Sequence, residues 1–266
     1  MNIIVCIKQI QDPEIPAAKF RLDPEAKNVI APDGIPPVIN PYDAQAVEVA
    51  LKIKEKHGGK ISVITIGDDK AAGTVKHALA MGADEGFLLK DQAFESPDSF
   101  STAYILSRAI HKIGGFDLVL CGRQAADWEE GMVGSILAER LDLPLVTLAE
   151  SVDFILGRWR VKRSILDGYQ LFEVAPPALV TVSHEAGAPR LPSGWGIISA
   201  SKKEIPVLDS RDIAADPSLI GRQASRKELV KLSIPERKRK CEMLGGDDPE
   251  EAAEKLIKRL KERGVL

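Results

Sequence analysis

The sequence predicts an α/β fold: a mostly parallel sheet with helices on both faces, then an antiparallel hairpin and a long C-terminal arm ending in a helix. Three observations carry that expectation. Short apolar runs of strand length alternate with helical-period stretches as far as about residue 144, the pattern of βαβ units. Between residues 152 and 174, strand-length runs are joined by the turn dipeptides Gly157-Arg158 and Asp167-Gly168. Beyond Glu185 the periodicity fades until Asp248-Pro249 opens a last helix.

Taken in order, residues 3–7 are an apolar run of strand length. Residues 41–57 place Ala46, Val47, Ala50, Leu51 and Ile53 on one helical side and stop at Gly58-Gly59. A strand at 61–66 closes at Gly67, a helix at 70–81 closes at Gly82, and a short strand follows at 86–89. Residues 99–113 read as a helix with Ala103, Leu106, Ala109, Ile110 and Ile113 on one side. The next strand, 116–120, leads into a polar loop and a helix that carries Gly131 and Gly134. Residues 144–147 read as a strand, then 152–156, 159–165 and 169–174 as a meander. Residues 179–182 return to the core. The arm contains a Gly-, Pro- and Ser-rich stretch at 186–203 and an aperiodic one at 205–244, a poor fit inside a compact domain. The division expected is a nucleotide-binding α/β domain at 1–185 and an arm at 186–266. The last helix, 250–263, has an apolar side at Ala253, Leu256, Ile257 and Leu260 that needs a covering surface.

The chain has 266 residues, 44% hydrophobic and 28% charged, with a net charge of −3, which is ordinary for a soluble globular protein. That balance excludes a chain built chiefly for nucleic acid or an anionic membrane. The basic run at 222–240 lacks interleaved aromatic residues and reads as a solvated or partner-facing surface. No apolar run approaches a membrane span. The first strand begins almost at the first residue, which leaves no room for a targeting peptide, so the expected location is cytoplasmic. The three cysteines, Cys6, Cys121 and Cys241, have neither CxxC nor metal-ligand spacing and fit a reducing compartment. His57, His77, His111 and His184 are scattered, without a ligand pattern, and no metal is expected.

Residues 121–144, CGRQAADWEEGMVGSILAERLDLP, say the most about function. They put a loop and a helix N-terminus at the carboxyl end of a sheet strand, where open α/β sheets bind ligands. Free first-turn amides and the helix dipole there favour an anion such as a phosphate. The loop is neither a Walker motif nor GxGxxG, so spacing alone leaves a phosphate seat and a plain turn equally open. Asn40-Pro41-Tyr42-Asp43 reads first as helix-start chemistry. It also lies across the same sheet edge, where Asn40 would hold a base or ribose edge. Ile66-Gly67-Asp68-Asp69 is a turn with a helix cap, and Gly67 would let a ligand approach the backbone.

The order of these pieces resembles the beta subunit of electron transfer flavoproteins from end to end. Val5-Cys6-Ile7-Lys8 comes first, then Asn40-Pro41-Tyr42-Asp43, then Ile66-Gly67. Ala78-Leu79-Ala80-Met81-Gly82-Ala83-Asp84 and Gly122-Arg123-Gln124-Ala125-Ala126-Asp127 follow, and Pro189-Arg190 with Lys202-Lys203 comes last. The resemblance implies a Rossmann-like adenine-nucleotide-binding domain. It also implies an alpha-subunit partner carrying a redox-active FAD, with the C-terminal arm wrapping that partner. The pocket of the beta subunit holds AMP in simple carriers. In bifurcating members it holds a second FAD that accepts hydride from NADH. The nucleotide contacts implied are Cys6, Asn40, Pro41, Tyr42, Asp43, Ile66, Gly122, Arg123, Gln124, Ala125, Ala126, Asp127, Glu130, Gly131, Met132 and Val133. Among these, the amides of residues 130–133, opening a helix, would hold phosphate, and Tyr42 would also lie near the alpha-bound flavin. Residues 184–193 match the loop by which the family recognises an acyl-CoA dehydrogenase; another flavin or iron-sulfur oxidoreductase is the other acceptor class.

Departures from the family pattern sharpen the expectation. Trp128 stands where small or acidic residues are usual, Glu130 where Thr, Cys or a similar small residue is, and Met132 replaces a glutamine. Ala186 or Gly187 stands where the recognition loop has a leucine, and Trp195 is a substitute anchor for a partner. The C-terminal helix leans toward the bifurcating, anaerobic bacterial branch. A stand-alone nucleotide-binding module of stress-protein type is the rival reading, and the long tail counts against it. A nucleotide-hydrolysing or adenylating enzyme would need a phosphate-gripping loop after the first strand; here that loop reads QIQDPEIP.

Overall fold

Strands apolar at every position must be buried on both faces. The first strand is such a run. Ile3 and Val5 enter one core, and Ile4 and Cys6 enter the other. The computed structural model of the chain describes every residue except 24, 26, 96, 236–240 and 247, and at 223 the backbone alone. It forms two units, Met1–Val230 and Lys231–Leu266.

The first unit is built on a nine-stranded sheet. Its strands are β1 (Asn2–Cys6), β2 (Lys60–Ile66), β3 (Glu85–Leu89), β4 (Leu118–Gly122), β5 (Leu145–Ile155), β6 (Arg158–Ile165), β7 (Gly168–Val174), β8 (Ala178–Val182) and β9 (Val207–Leu208). Their order across the sheet is β7-β6-β5-β8-β4-β1-β2-β3-β9. Every pair from β5 across to β9 is parallel, and β6 is antiparallel to both its neighbours. Helices α1 (Pro41–His57), α2 (Ala72–Met81) and α5 (Gly194–Lys202) cover one face, and α3 (Ser99–Ile113) and α4 (Val133–Arg140) cover the other. The α/β expectation, with helices on both faces, is met.

The bounds of α1 and α3 follow their local signals. Pro41 opens α1, Asp98 caps α3 by accepting from the Ser101 amide, and Gly58 and Gly114 end them in left-handed conformations. Four other readings are corrected. The meander does not stand beside the parallel sheet; it extends the same sheet through β5. Residues 145–155 are one strand, not two, because the chain kinks at Leu148 (φ 58°) and resumes pairing across a bulge. The glycine-rich stretch after Ala186 contains α5. Ser193 caps it, and Gly196 lies so close to α2 that a Cβ there would come within 2.2 Å of the Ala80 carbonyl oxygen. Glycine serves close helix packing here, not a loop. Finally, α4 starts at Val133, so residues 130–132 precede the helix as irregular chain and are not its first turn.

Trp159 anchors the extension of the sheet. It is fully buried, its Nε1 donates to the Asp117 carbonyl at 3.0 Å, and its ring packs against Phe154. In the second unit, α6 (Pro249–Glu262) is capped by Asp248, and Arg259 and Arg263 both pair with Glu242. Leu256 and Ile257 stay about half exposed on its apolar side. The part of the basic run at 236–240 lies outside the described residues. Among those residues, no helix is long and apolar enough to cross a membrane.

Candidate functional site

The chain path creates a crevice. From β1 it moves outward through β2 and β3, then returns by α3 to β4 on the other side of β1. The carboxyl ends of β1 and β4 therefore flank the topological switch point, the place where open α/β sheets bind ligands. Three segments meet there: the residues after Cys6, the start of α1, and residues 122–133.

Asp43, in the first turn of α1, joins the two strand ends. One of its oxygens accepts from the Lys8 amide at 2.7 Å, and the other from the Gly122 amide at 3.1 Å. It is buried, and burial pushes its pKa up to about 7 against the pull of these bonds and of Asn40. Glycine at 122 is required by this closeness: a Cβ would lie 2.4 Å from the Asp43 oxygen and 2.7 Å from the Tyr42 Cβ.

Asn40 occupies the cap position of α1 but makes no cap bond. Its buried side chain crosses to the loop instead. Nδ2 donates to the Gln124 carbonyl at 2.8 Å, and Oδ1 accepts from the Ala126 amide at 3.1 Å. Lys8 Nζ reaches Asp127 at 2.6 Å, and the Arg123 guanidinium lies 5.6 Å from the Tyr42 ring centroid. The Arg123 amide donates to the Val182 carbonyl at 2.8 Å, fixing the loop's origin on β8. Glu129 (φ 53°) and Gly131 (φ 63°) then turn the chain into α4. Gly134 lets α4 close on the sheet, because a Cβ there would come within 2.6 Å of Thr181 Cγ2.

At Met132, the cap position of α4, there is no side-chain acceptor. No side chain at the cap position therefore satisfies the first-turn amides of α4. Cys6 and Cys121 are register partners beneath this edge. Both are buried. Their mutual hydrogen bond, and then burial, hold the Cys6 thiol well above its ordinary pKa, so it stays neutral within the core beneath α3 and α4.

The family described as "Electron transfer flavoprotein domain" matches residues 27–213. The chain belongs to the electron transfer flavoprotein family. It is 41% identical to "Electron transfer flavoprotein subunit beta" of Thermoanaerobacterium thermosaccharolyticum, with 100% of each chain covered. Over the same full coverage it is 37% identical to "Caffeyl-CoA reductase-Etf complex subunit CarD" of Acetobacterium woodii. It is also 37% identical to "Electron transfer flavoprotein subunit beta" of Clostridium acetobutylicum, again with 100% of each chain covered. These likenesses make it a beta-type chain of the family.

In this beta-type chain the structure brings Cys6, residues 40–43 and residues 122–127 into one neighbourhood, with residues 130–133 leading on into α4. Ile66 ends β2, one strand away from β1, and is half-buried. Gly67 serves its own turn: a Cβ there would lie 2.6 Å from the Ala71 Cβ. Trp128 is about half exposed. The carboxylate of Glu130 bonds the Ser99 hydroxyl and pairs with Lys227 at 3.1 Å. Residues 184–193 lie against α1. Arg190 is bound there by the buried Glu48 and by Glu55, and Leu191 and Trp195 beyond it are 88% and 83% exposed.

Sequence reasoning missed the roles of Lys8, Ser99 and Lys227. Lys8 carried a usable signal, because the first cation after a strand that ends at a switch point faces the ligand edge. Ser99 and Lys227 carried none, since their partner lies far from both in the chain.

Proposed function

We propose that this chain is the nucleotide-holding half of a heterodimeric electron transfer flavoprotein, with an adenine nucleotide, FAD or AMP, in the crevice between β1 and β4. The observation that carries the reading is the uncapped N-terminus of α4 at the switch point, reached through a turn that Asn40 and Asp43 hold from across the sheet edge. The residues fit the group. Gly131 puts no side chain in the approach, and the amides of residues 131–133 suit a phosphate.

Residues 1–185 form the nucleotide-holding part in this reading, and residues 186–266 supply contacts to the alpha subunit. The bound flavin supplies the redox chemistry; this chain binds it, orients it and sets the charge around it. With FAD in the crevice the complex would take hydride from NADH, as bifurcating members do; with AMP it would be a simple carrier. Residues 184–193, fixed on α1 through Arg190, present Leu191, and the start of α5 presents Trp195, to a partner oxidoreductase such as an acyl-CoA dehydrogenase.

Co-expression with an alpha-type subunit tests the pairing. A one-to-one complex carrying flavin is the expected result. A chain that purifies alone, with or without nucleotide, overturns the heterodimer and favours the stand-alone module.

A further inference from the structure

Glu130 places a carboxylate one residue before Gly131, beside the turn that leads into α4. A negative charge there opposes a phosphate. Two groups answer it. The Ser99 hydroxyl donates to Glu130 Oε2, and Lys227 Nζ lies 3.1 Å from the same oxygen. Ser99 first, and Lys227 after it, hold this carboxyl below the usual carboxylate range against the opposing effect of burial. Lys227 Nζ also lies 3.1 Å from Sδ of Met132, so one ammonium touches the residues on both sides of Gly131.

Lys227 comes from a remote part of the sequence, and its position is built. Asp98 caps α3 with one oxygen, accepting from Ser101 at 2.9 Å. With its other oxygen it accepts the Arg226 amide at 2.6 Å. The Arg226 guanidinium lies 4.7 Å from the Phe100 ring centroid. Upstream, Ile220 is buried, and Gly221 (φ 70°) backs onto the Ala93 carbonyl, where a Cβ would come within 2.7 Å. The start of α3 thus fixes both Ser99 and the segment that carries Lys227.

We propose that Lys227 is a positioning residue for an anionic ligand on the 130–133 segment: it keeps the Glu130 carboxylate against Ser99 and cancels its charge beside an adenosine 5′-phosphate. This inference rests on the nucleotide reading above. Both side chains are 40% exposed, and an exposed pair of this kind adds little to folding stability. Its effect falls on ligand charge instead. Docking of residues 225–227 and binding of a phosphate favour each other by the same factor. A neutral ligand feels no such effect.

The test uses Lys227→Met and Glu130→Gln, singly and together, in the full chain paired with its alpha subunit and stripped of bound nucleotide. AMP and adenosine are the calorimetric probes, and FAD is titrated against the unsubstituted complex. Lys227→Met should weaken AMP about tenfold and move adenosine by less than about twofold, because only AMP carries the charge. The double variant should regain most of the AMP affinity, and Glu130→Gln alone should bind AMP at least as well as the unsubstituted chain. Unchanged AMP binding in Lys227→Met, an equal loss for adenosine, or no recovery in the double variant overturns the proposal while leaving the nucleotide site standing. An unsubstituted complex that binds neither AMP nor FAD removes the nucleotide reading, and this inference with it.

Discussion

The Gly122 amide donates to the Asp43 carboxylate at 3.1 Å, and a single methyl group on Gly122 would come within 2.4 Å of that same oxygen. The end of β4 and the start of α1 are therefore in contact with no space between them, and that contact shapes the floor of the crevice. Gly122→Ala should separate the two and destabilise the chain by about 1–3 kcal/mol, the usual cost of overpacking. Thermal unfolding and nucleotide content would both fall; a substitution without effect on either would show that the contact is slack.

Asp43 makes the stability of the chain depend on pH. Burial raises its pKa from 3.8 to about 7, and the unfolded chain keeps the ordinary value. Between those values the folded chain binds the extra proton, so its stability falls as pH rises through that window. The full span is worth about 4 kcal/mol at most. Asp43→Asn removes this titration. Measured by urea unfolding, its stability relative to the unsubstituted chain should therefore be higher at about pH 8 than at about pH 5. A flat or reversed difference would contradict the burial argument.

Asn40 ties the loop to α1 through two bonds, to Gln124 and Ala126. Asn40→Ala leaves a part-buried carbonyl and amide without that partner, which costs about 1 kcal/mol for each group. Adenine-nucleotide affinity should fall more than stability does, because the loop is the ligand's edge. Equal losses in calorimetric binding and in unfolding free energy would reduce Asn40 to a structural part.

Arg190 holds residues 184–193 on α1 through Glu48, whose carboxylate is buried and whose pKa stays low because the Arg190 bonds outweigh the effect of burial. Arg190→Ala leaves that carboxylate with Lys52 alone, at 4.0 Å, and should destabilise the chain by about 1–3 kcal/mol, since Arg190 is itself partly exposed. Adding Glu48→Gln should recover much of the loss. Electron delivery to a partner oxidoreductase should slow in the single variant even where it remains folded, since Leu191 would lose its fixed presentation.

What could be read from the sequence was local. α1 and α3 fell at their observed bounds because Pro41, Asp98, Gly58 and Gly114 mark their own ends. β1, apolar from Ile3 onward, and β8, interrupted only by Thr181, announced burial on both faces. α5 was hidden because Gly194 and Gly196 imitate a loop, while Gly196 serves the close approach to α2. β5 read as two strands because the kink at Leu148 and the polar residues after it interrupt the alternation. In the candidate site, the nearness of residues 40–43 to residues 122–127 was legible because both lie at the carboxyl edge of the sheet. The placement of Lys8 on Asp127 and of Lys227 on Glu130 was not, since each pair joins segments that only the tertiary fold brings together.

The central claim is that the crevice between β1 and β4 holds an adenine nucleotide in addition to the FAD of the alpha subunit. Acid release and counting of nucleotides from the purified heterodimer tests it most directly. Two adenine nucleotides per heterodimer are predicted: two FAD would make this chain the hydride-accepting half, and one FAD with one AMP would make the complex a simple carrier. One FAD with no second nucleotide would contradict the claim and leave only the family membership and the fold.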